Sequence, residues 1–194
     1  MPKLIGINKI NIAVFISGNG SNFKNLIINS LKKKSKYKIK LVISSRTNAK
    51  GLKYARKFKI KKKIINYLNK KNAEKNILIE LKKNKIDLVC LAGFMKILSN
   101  YLIKKFRGKI INIHPSLLPK YKGLNTHQRA IENKEKYSGC TVHYVNSRLD
   151  SGKIILQKKV KILKTDTSVT LAKRILIQEH ILYPKALKKV LINL

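Results

Sequence analysis

Residues 10–22 read INIAVFISGNGSN, an apolar run that passes directly into a turn rich in Gly, Ser and Asn. The run is rich in Ile and Val and apolar at nearly every position, which is typical of a strand covered on both faces. Four apolar residues then follow at helical spacing: Phe23, Leu26, Ile27 and Leu31. A strand that turns sharply into a helix predicts the first unit of an α/β domain.

The alternation of strand-like and helix-like segments continues as far as residue 113. The further predicted strands of this part span 39–44, 64–65, 86–92 and 109–113. The predicted helices between them span 51–58, 73–84 and 101–106. Such an alternation implies right-handed crossovers and a parallel sheet with helices on both faces.

The spacing changes beyond residue 135. Strands predicted over 141–145 and 154–162 are joined by a turn-rich stretch that is too short for a helix, so they should pair antiparallel. A long helical pattern from 169 to about 191, which should bend near Pro184, follows this hairpin. We find no linker or repeat, and the sequence therefore predicts a single α/β domain over residues 1–194.

The charge of the chain is strongly positive. Its 194 residues include 45 Lys and Arg against 8 Asp and Glu, a formal net charge of +37. Hydrophobic residues make up 44%, which is enough for a core and excludes a disordered basic tail. A charge of this size usually indicates nucleic acid. Lysine is spread over the whole chain together with abundant Ile and Asn, as A+T-rich coding bias would produce. We therefore interpret most lysines as solvated surface and do not expect a nucleic-acid partner.

The location of the protein is predicted from its apolar runs and cysteines. No run approaches the roughly 18–20 residues of a membrane span, and the short apolar stretch near the N-terminus lacks a signal-peptide cleavage site. Cys90 and Cys140 lie in apolar segments, which indicates buried thiols in a reducing compartment. We expect a cytoplasmic protein with no membrane partner. The four histidines lack metal-ligand spacing, so we expect no metal.

The turn over residues 17–22, SGNGSN, is the first candidate site. Glycines let the backbone approach a ligand closely, and the start of the following helix offers unpaired N–H groups to an anion. The turn lacks the Gly-Lys-Ser/Thr ending of a Walker loop, and Phe23 stands where a dinucleotide fingerprint needs its third glycine. A site for the phosphate of a mononucleotide is favoured, with a purely structural turn as the alternative.

The second candidate site is INIHPSLLP, residues 111–119, at the end of a predicted strand. Asn112 and His114 are two apart and share a face of that strand. An amide donor beside an imidazole suits a tetrahedral oxyanion, and active sites of parallel sheets lie beyond such strand ends. Asp150, in the turn 149–152, either caps its own backbone or, if it lies near His114, raises the pKa of that histidine.

Four stretches together resemble the phosphoribosylglycinamide formyltransferases, a folate-dependent family of purine synthesis. They are ISGNGSN at 16–22, LAGFMKILS at 91–99, NIHPSLLPKY at 112–121 and QEH at 178–180. They lie in the family's order over nearly the whole chain. The resemblance implies a Rossmann-like formyltransferase fold and transfer of the formyl group of 10-formyltetrahydrofolate, a co-substrate, to the amine of N1-(5-phosphoribosyl)glycinamide. It also implies a nucleotide-binding N-terminal half and a folate-binding C-terminal half.

The resemblance implies roles for particular residues. Gly20, Ser21 and Asn22 would hold the ribose phosphate of glycinamide ribonucleotide, and Glu179 its ribose hydroxyls. The residues implied for the folate are Met95, Lys96, Ile97, Leu98, Asn112, Asn146, Ser147, Arg148, Leu149, Asp150 and Lys70.

The catalytic trio implied by the resemblance consists of Asn112, His114 and Asp150. The substrate amine would attack the formyl carbon directly, with no acyl-enzyme. His114, as imidazolium, and the Asn112 amide would stabilise the oxyanion, while Asp150 would keep His114 protonated.

Two alternative functions remain open at this point. Methionyl-tRNA formyltransferase uses the same folate and a related trio, and a tRNA substrate would explain the charge. That enzyme carries an additional C-terminal β-barrel, for which we expect no residues here. A noncatalytic basic RNA-binding protein on an enzyme fold is the other alternative, and the intact trio argues against it. A monomer and a homodimer are both compatible with the sequence.

Overall fold

The computed structural model describes residues 9–192, which contain seven strands and six helices. The strands are β1 (Ile10–Ile16), β2 (Tyr37–Ser44), β3 (Lys61–Ile64), β4 (Leu88–Leu91), β5 (Lys109–His114), β6 (Tyr137–Tyr144) and β7 (Ile154–Lys161). The helices are α1 (Ser21–Ser30), α2 (Leu52–Lys57), α3 (Lys70–Lys83), α4 (Asn100–Lys105), α5 (Thr126–Glu132) and α6 (Ser168–Ile192). The prediction that no signal peptide is present concerns residues before 9 as well, which lie outside the described residues.

All seven strands form one sheet in the order β3-β2-β1-β4-β5-β6-β7. The strands from β3 to β5 pair parallel, whereas β6 runs antiparallel to β5 and β7 antiparallel to β6. The mostly parallel sheet, the C-terminal hairpin and the long final helix confirm the predicted architecture. The strand order reverses at β1, so a crevice opens between the segments that follow β1 and β4.

The two faces of β1 show why the sheet is covered on both sides. Ile12, Val14 and Ile16 pack into a core with α1, α2 and α6, and Ala13 and Phe15 pack into a second core with α3 and α4. All five side chains are fully buried. Because successive side chains of a strand point to opposite faces, a continuous apolar run is what a sheet between two helix layers requires.

Some elements differ from the predictions. β3 lies over Lys61–Ile64 instead of 64–65, and all of its side chains are exposed. It forms an edge of the sheet, where lysines prevent further strands from pairing. The pattern assigned no element to α5. α6, by contrast, runs through Pro184 where the long helical pattern was predicted. Within residues 9–192, no helix is long and apolar enough to cross a bilayer.

Candidate functional site

A cavity of about 620 Å³ lies beside the ends of β4 and β5. Five parts of the chain line it: the start of α1, the segment after β4, the segment from β5 into α5, the residues from the end of β6 to 150, and α6. Its position beyond the carboxyl ends of parallel strands is where open α/β sheets usually bind ligands. The volume lies within the range of small-molecule sites.

Asn112, His114 and Asp150 come together at this cavity. Asn112 and His114 lie on β5 and both line the cavity, and His114 is only 5% exposed. The Oδ2 atom of Asp150 lies 3.4 Å from His114 Nδ1 and accepts a hydrogen bond of 2.9 Å from the Gly123 backbone. The first of the two interpretations of Asp150, a turn residue that caps only its own backbone, does not describe this geometry.

His143 joins this group, although no motif in the sequence indicates a role for it. Its Nε2 atom lies 3.3 Å from Asn112 Nδ2 and 3.6 Å from Asp150 Oδ1, and its Nδ1 donates to the Tyr144 carbonyl at 2.8 Å. Asn112 and His143 are directly opposite in the antiparallel pairing of β5 and β6. The register of this pair is the signal that could have identified His143, because opposite residues place their side chains on one face.

The protonation of the site depends on burial as well as on neighbouring charges. Burial lowers the pKa of His114 below its ordinary value, while the Tyr121 carbonyl, 2.9 Å from Nε2, and the Asp150 carboxylate raise it. The net direction is a lowering, to which the charges of His143 and Arg129 also contribute, whereas Asp150 acts in the predicted sense by raising this pKa. Burial raises the pKa of Asp150, but the neighbouring His143, the hydrogen bond from the Gly123 N–H and the nearby histidine charges outweigh it. Asp150 is therefore ionised at neutral pH, beside a His114 that readily loses its proton.

The turn before α1 brings its backbone close to another turn. Gly20 is the N-cap of α1, with φ +71° and no side-chain cap. The first intrahelical bond runs from the Lys24 N–H to the Gly20 carbonyl, so the preceding N–H groups have no partner within the helix. A Cβ on Gly20 would lie 2.6 Å from the Cα of Gly51. The absence of a side chain at residue 20 is therefore required by packing as well as by φ.

Asn22 and Glu179 connect this turn to α6. Asn22 Nδ2 donates to Glu179 Oε2 at 2.6 Å, and both residues line the cavity. Burial raises the pKa of Glu179, an effect that the Asn22 hydrogen bond opposes. Within residues 9–192, the buried Asn22 Oδ1 has no hydrogen-bond partner. An acceptor is thus left available at this end of the cavity.

Most of the remaining predicted site residues also line the cavity. They are Met95, Lys96, Ile97 and Leu98, which follow β4, and Asn146, Ser147, Arg148 and Leu149, which follow β6. Gly20 and Ser21 precede the lining residue Asn22 but do not line the cavity themselves, and Lys70 is exposed at the start of α3, outside it. Within the described residues, no group of three His, Cys, Asp or Glu is arranged to hold a metal ion.

Comparison with known proteins identifies relatives over most of the chain. Residues 10–187 match the formyl transferase family. Phosphoribosylglycinamide formyltransferase of Escherichia coli is 40% identical over 178 residues, which cover 90% of this chain and 84% of that protein. The crystal structure of phosphoribosylglycinamide formyltransferase from Brucella melitensis superimposes with a TM-score of 0.89 at 42% identity, covering 94% of this chain and 95% of the other.

A longer relative matches only in part. The human trifunctional purine biosynthetic protein adenosine-3 is 43% identical over 185 residues, 94% of this chain, but the chain spans only 18% of its length. None of these three relatives supports a tRNA formyltransferase or a noncatalytic RNA-binding protein. The family match, the identities and the superposition agree with the fold and with the residues gathered at the cavity: the chain belongs to the formyl transferase family.

Proposed function

We propose that the protein transfers the formyl group of 10-formyltetrahydrofolate to the amine of N1-(5-phosphoribosyl)glycinamide, which gives formylglycinamide ribonucleotide and tetrahydrofolate in purine synthesis. The observation that carries this proposal is that one cavity is lined both by Asn112, His114 and Asp150 and by the Asn22–Glu179 pair. A group that can move a proton and a group that can bind a nucleotide therefore face the same space.

The nucleotide occupies the end of the cavity near α1. The N–H groups at the start of α1, in Gly20, Ser21 and Asn22, bind the ribose phosphate, since a helix N-terminus attracts anions. Glu179 accepts hydrogen bonds from the ribose hydroxyls, and the free Asn22 Oδ1 accepts one from a substrate N–H or O–H. The N-terminal half thus supplies the phosphate contacts, while Glu179 is a contribution from the C-terminal half.

The folate occupies the other end of the cavity. Met95 and Ile97 are 57% and 59% exposed and line the cavity together with Leu149, which is also exposed. Exposed apolar side chains around a cavity suit a flat heteroaromatic ligand. The backbone of residues 95–98 and 146–150 supplies polar contacts to the pterin. Lys96 and Arg148 add positive charge for the glutamate tail, and Lys70, outside the cavity, can contact only the far end of that tail.

The reaction needs one new bond and one broken bond. The substrate amine nitrogen attacks the formyl carbon, and the carbonyl electrons move to its oxygen to form a tetrahedral oxyanion. The Asn112 amide donates to this oxygen, and one such donor is worth about 100-fold to 1000-fold in rate. The intermediate then collapses, the carbon–N10 bond breaks, and N10 takes up a proton. No covalent enzyme intermediate is required.

His114 carries the proton from the substrate amine nitrogen to N10 of the folate. Its lowered pKa leaves the ring neutral at pH 7, so it can accept the proton that the attacking amine loses and return it to N10. The ionised Asp150, 3.4 Å from Nδ1, stabilises the imidazolium formed in between. In the resting state Nε2 donates to the Tyr121 carbonyl. For this transfer Nε2 must leave that carbonyl and the ring hydrogen must move to Nδ1, beside Asp150, so that the Nε2 lone pair faces the substrate amine.

The setting that we propose is a cytoplasmic enzyme with small-molecule substrates only. Cys90 and Cys140 are both buried free thiols, which supports a reducing compartment. We propose no metal, no membrane and no nucleic-acid partner, and an assembly of one or two chains.

The test is a formyl-transfer assay with defined substrates. The purified protein is incubated with 10-formyltetrahydrofolate and N1-(5-phosphoribosyl)glycinamide, and the formylated ribonucleotide is detected by mass spectrometry. A parallel reaction offers initiator methionyl-tRNA as the acceptor. We expect formylation of the ribonucleotide alone. Formylation of the tRNA alone, or of neither acceptor, would contradict the proposal.

A further inference from the structure

A buried carboxylate, that of Glu74, is hydrogen-bonded to the residue that follows one wall of the cavity. Glu74 lies on α3, is 2% exposed and does not line the cavity. Its Oε1 accepts a hydrogen bond of 2.7 Å from the Ser99 backbone N–H, and its Oε2 accepts one from the Ser99 hydroxyl. Both carboxylate oxygens are therefore directed at one residue, Ser99, on another part of the chain. Hydrogen bonds to a charged group are stronger than those between neutral groups.

Ser99 ends the segment 94–99, whose residues 94–98 line the cavity. This segment contains no helix or strand. Its Met95 and Ile97 are mostly exposed, so packing does little to fix these two side chains, whereas Leu98 is buried in the second core. Near its other end, the Met95 N–H donates to the Ser17 hydroxyl at 2.8 Å. The segment is thus held by side-chain acceptors near both ends, Ser17 near one and Glu74 at the other.

A second set of contacts supports the same segment. The Tyr67 ring packs edge-to-face on Phe94, with centroids 5.7 Å apart, and Phe94 packs likewise on the buried Phe15 at 5.2 Å. Lys96 Nζ lies 5.9 Å from the centre of the Tyr67 ring. The region from Tyr67 to Glu74 thus contacts the segment at Phe94, Lys96 and Ser99.

From this arrangement we propose that Glu74 is a positioning residue for the folate co-substrate, acting through Ser99 on the shape of segment 94–99. The proposal rests on the proposed function, in which residues 95–98 bind the pterin. A pocket whose wall lacks regular structure binds its ligand tightly only if that wall is already ordered, because ordering the wall on binding costs affinity. Glu74 does not contact the nucleotide end of the cavity, so its effect should be confined to the folate.

The main variant is Glu74→Ala, which removes both acceptors of Ser99. We expect the KM for 10-formyltetrahydrofolate to rise about tenfold, as the loss of a charged hydrogen bond implies. The KM for the ribonucleotide and kcat should stay within about twofold of wild type, because neither depends on residues 94–99. Glu74→Gln should restore most of the folate affinity, since its Oε1 can accept from the Ser99 N–H and its amide can donate to the hydroxyl.

The matched control is Glu80→Ala on the same helix. Glu80 pairs with Lys61 at 3.5 Å and Lys63 at 3.7 Å, away from segment 94–99, so its removal should leave both KM values unchanged. If Glu74→Ala fails to fold, Ser99→Ala replaces it, because it deletes the hydroxyl bond to Glu74 and keeps the backbone bond. It also removes the Ser99 Oγ that accepts a hydrogen bond from the Leu102 N–H at the start of α4, so its thermal stability is measured alongside. A smaller rise in the folate KM is then expected.

Hydrogen exchange of the backbone provides a readout independent of activity. In Glu74→Ala, but not in Glu80→Ala, the amides of Met95 and Ser99 should exchange faster than in wild type. The Leu102 amide should do the same, because it donates to the Ser99 hydroxyl that Glu74 holds. Equal exchange, an unchanged folate KM or an equal rise in both KM values would overturn the inference. If wild-type protein transferred no formyl group, the proposed function would fail, while the exchange rates would still decide whether Glu74 orders this segment.

Discussion

Replacing Gly20 by alanine perturbs the turn before α1 in two separable ways. The φ of +71° is in the left-handed region, and the new Cβ would lie 2.6 Å from the Cα of Gly51. The left-handed conformation costs a non-glycine residue about 1–2 kcal/mol. A contact with backbone at this distance forces a shift of one turn against the other, which costs about 1–3 kcal/mol more.

These two costs predict a loss of about 3 kcal/mol in the free energy of unfolding. For a domain of this size, each kcal/mol lowers Tm by about 2–4 °C, so Tm should fall by about 6–12 °C. The KM for the ribonucleotide should also rise, because the N–H groups of Ser21 and Asn22 move with the turn. Thermal unfolding and steady-state kinetics with varied ribonucleotide measure the two effects.

Alanine substitutions at two other glycines measure the cost of the left-handed conformation separately from the cost of the close contact. Gly93 has φ +72° and open space within 4 Å of the position that a Cβ would occupy, and Gly18 has neither a positive φ nor a neighbour within 4 Å. Gly93→Ala should therefore lose only about 1–2 kcal/mol, the cost of its left-handed conformation. Gly18→Ala should change stability by no more than about 1 kcal/mol. If Gly20→Ala proved no less stable than Gly93→Ala, the packing of Gly20 on Gly51 would not contribute as described.

Three further predictions concern the chemistry, the pH dependence and the charge. His114→Ala and Asn112→Ala should each lower kcat about 100-fold or more with little change in either KM; steady-state rates near those of wild type would exclude them from catalysis. Burial lowers the pKa of His114, His127 and His180, so below pH 6.5 the unfolded chain binds more protons than the folded one. The free energy of unfolding, measured in urea, should therefore decrease as the pH falls from about 7.5 to about 5.5. Glu179, whose pKa is raised, opposes the three histidines. Equal stability at both pH values would contradict this prediction. The charge of +37 should make kcat/KM for both anionic substrates fall with ionic strength while kcat stays constant, because salt screens charges beyond about 10 Å at 0.1 M. A flat response would mean that the lysines do not steer substrates.

The elements predicted best are those whose bounds follow from the hydrophobic pattern of their own residues. The bounds of β1, Ile10–Ile16, follow directly from a continuous apolar run. β3 lies away from its predicted position because its pairing with β2, and not an apolar pattern, makes Lys61–Ile64 a strand. α5 has no counterpart among the predicted helices because tertiary contacts hold it in place, such as the hydrogen bond of 2.9 Å from Thr126 Oγ1 to the Pro115 carbonyl. Sequence periodicity does not record such contacts.

The site is predictable to the extent that spacing along one strand determines it. Asn112 and His114 share a face of β5, as two residues apart on a strand must. The net pKa of His114 is not predictable in this way, because it depends on how deeply the fold buries the ring. His143 requires the register of β5 against β6, which pairs it with Asn112. The position of Asp150 depends on the path of a turn, for which no local pattern exists.

The hairpin that interrupts the parallel alternation is what completes the site. The connection from β6 to β7 is closed at its base by a hydrogen bond of 2.9 Å from the Tyr144 N–H to the Lys153 carbonyl. Within it, Asp150 has φ +45°, a left-handed conformation that is uncommon for residues other than glycine but that Asp adopts in turns. Its carboxylate contacts His114, His143 and the Gly123 N–H. A parallel strand reached through a crossover helix could not have placed His143 opposite Asn112 and returned the chain to His114 within so few residues. The antiparallel end of the sheet is therefore a requirement of the catalytic arrangement that we propose.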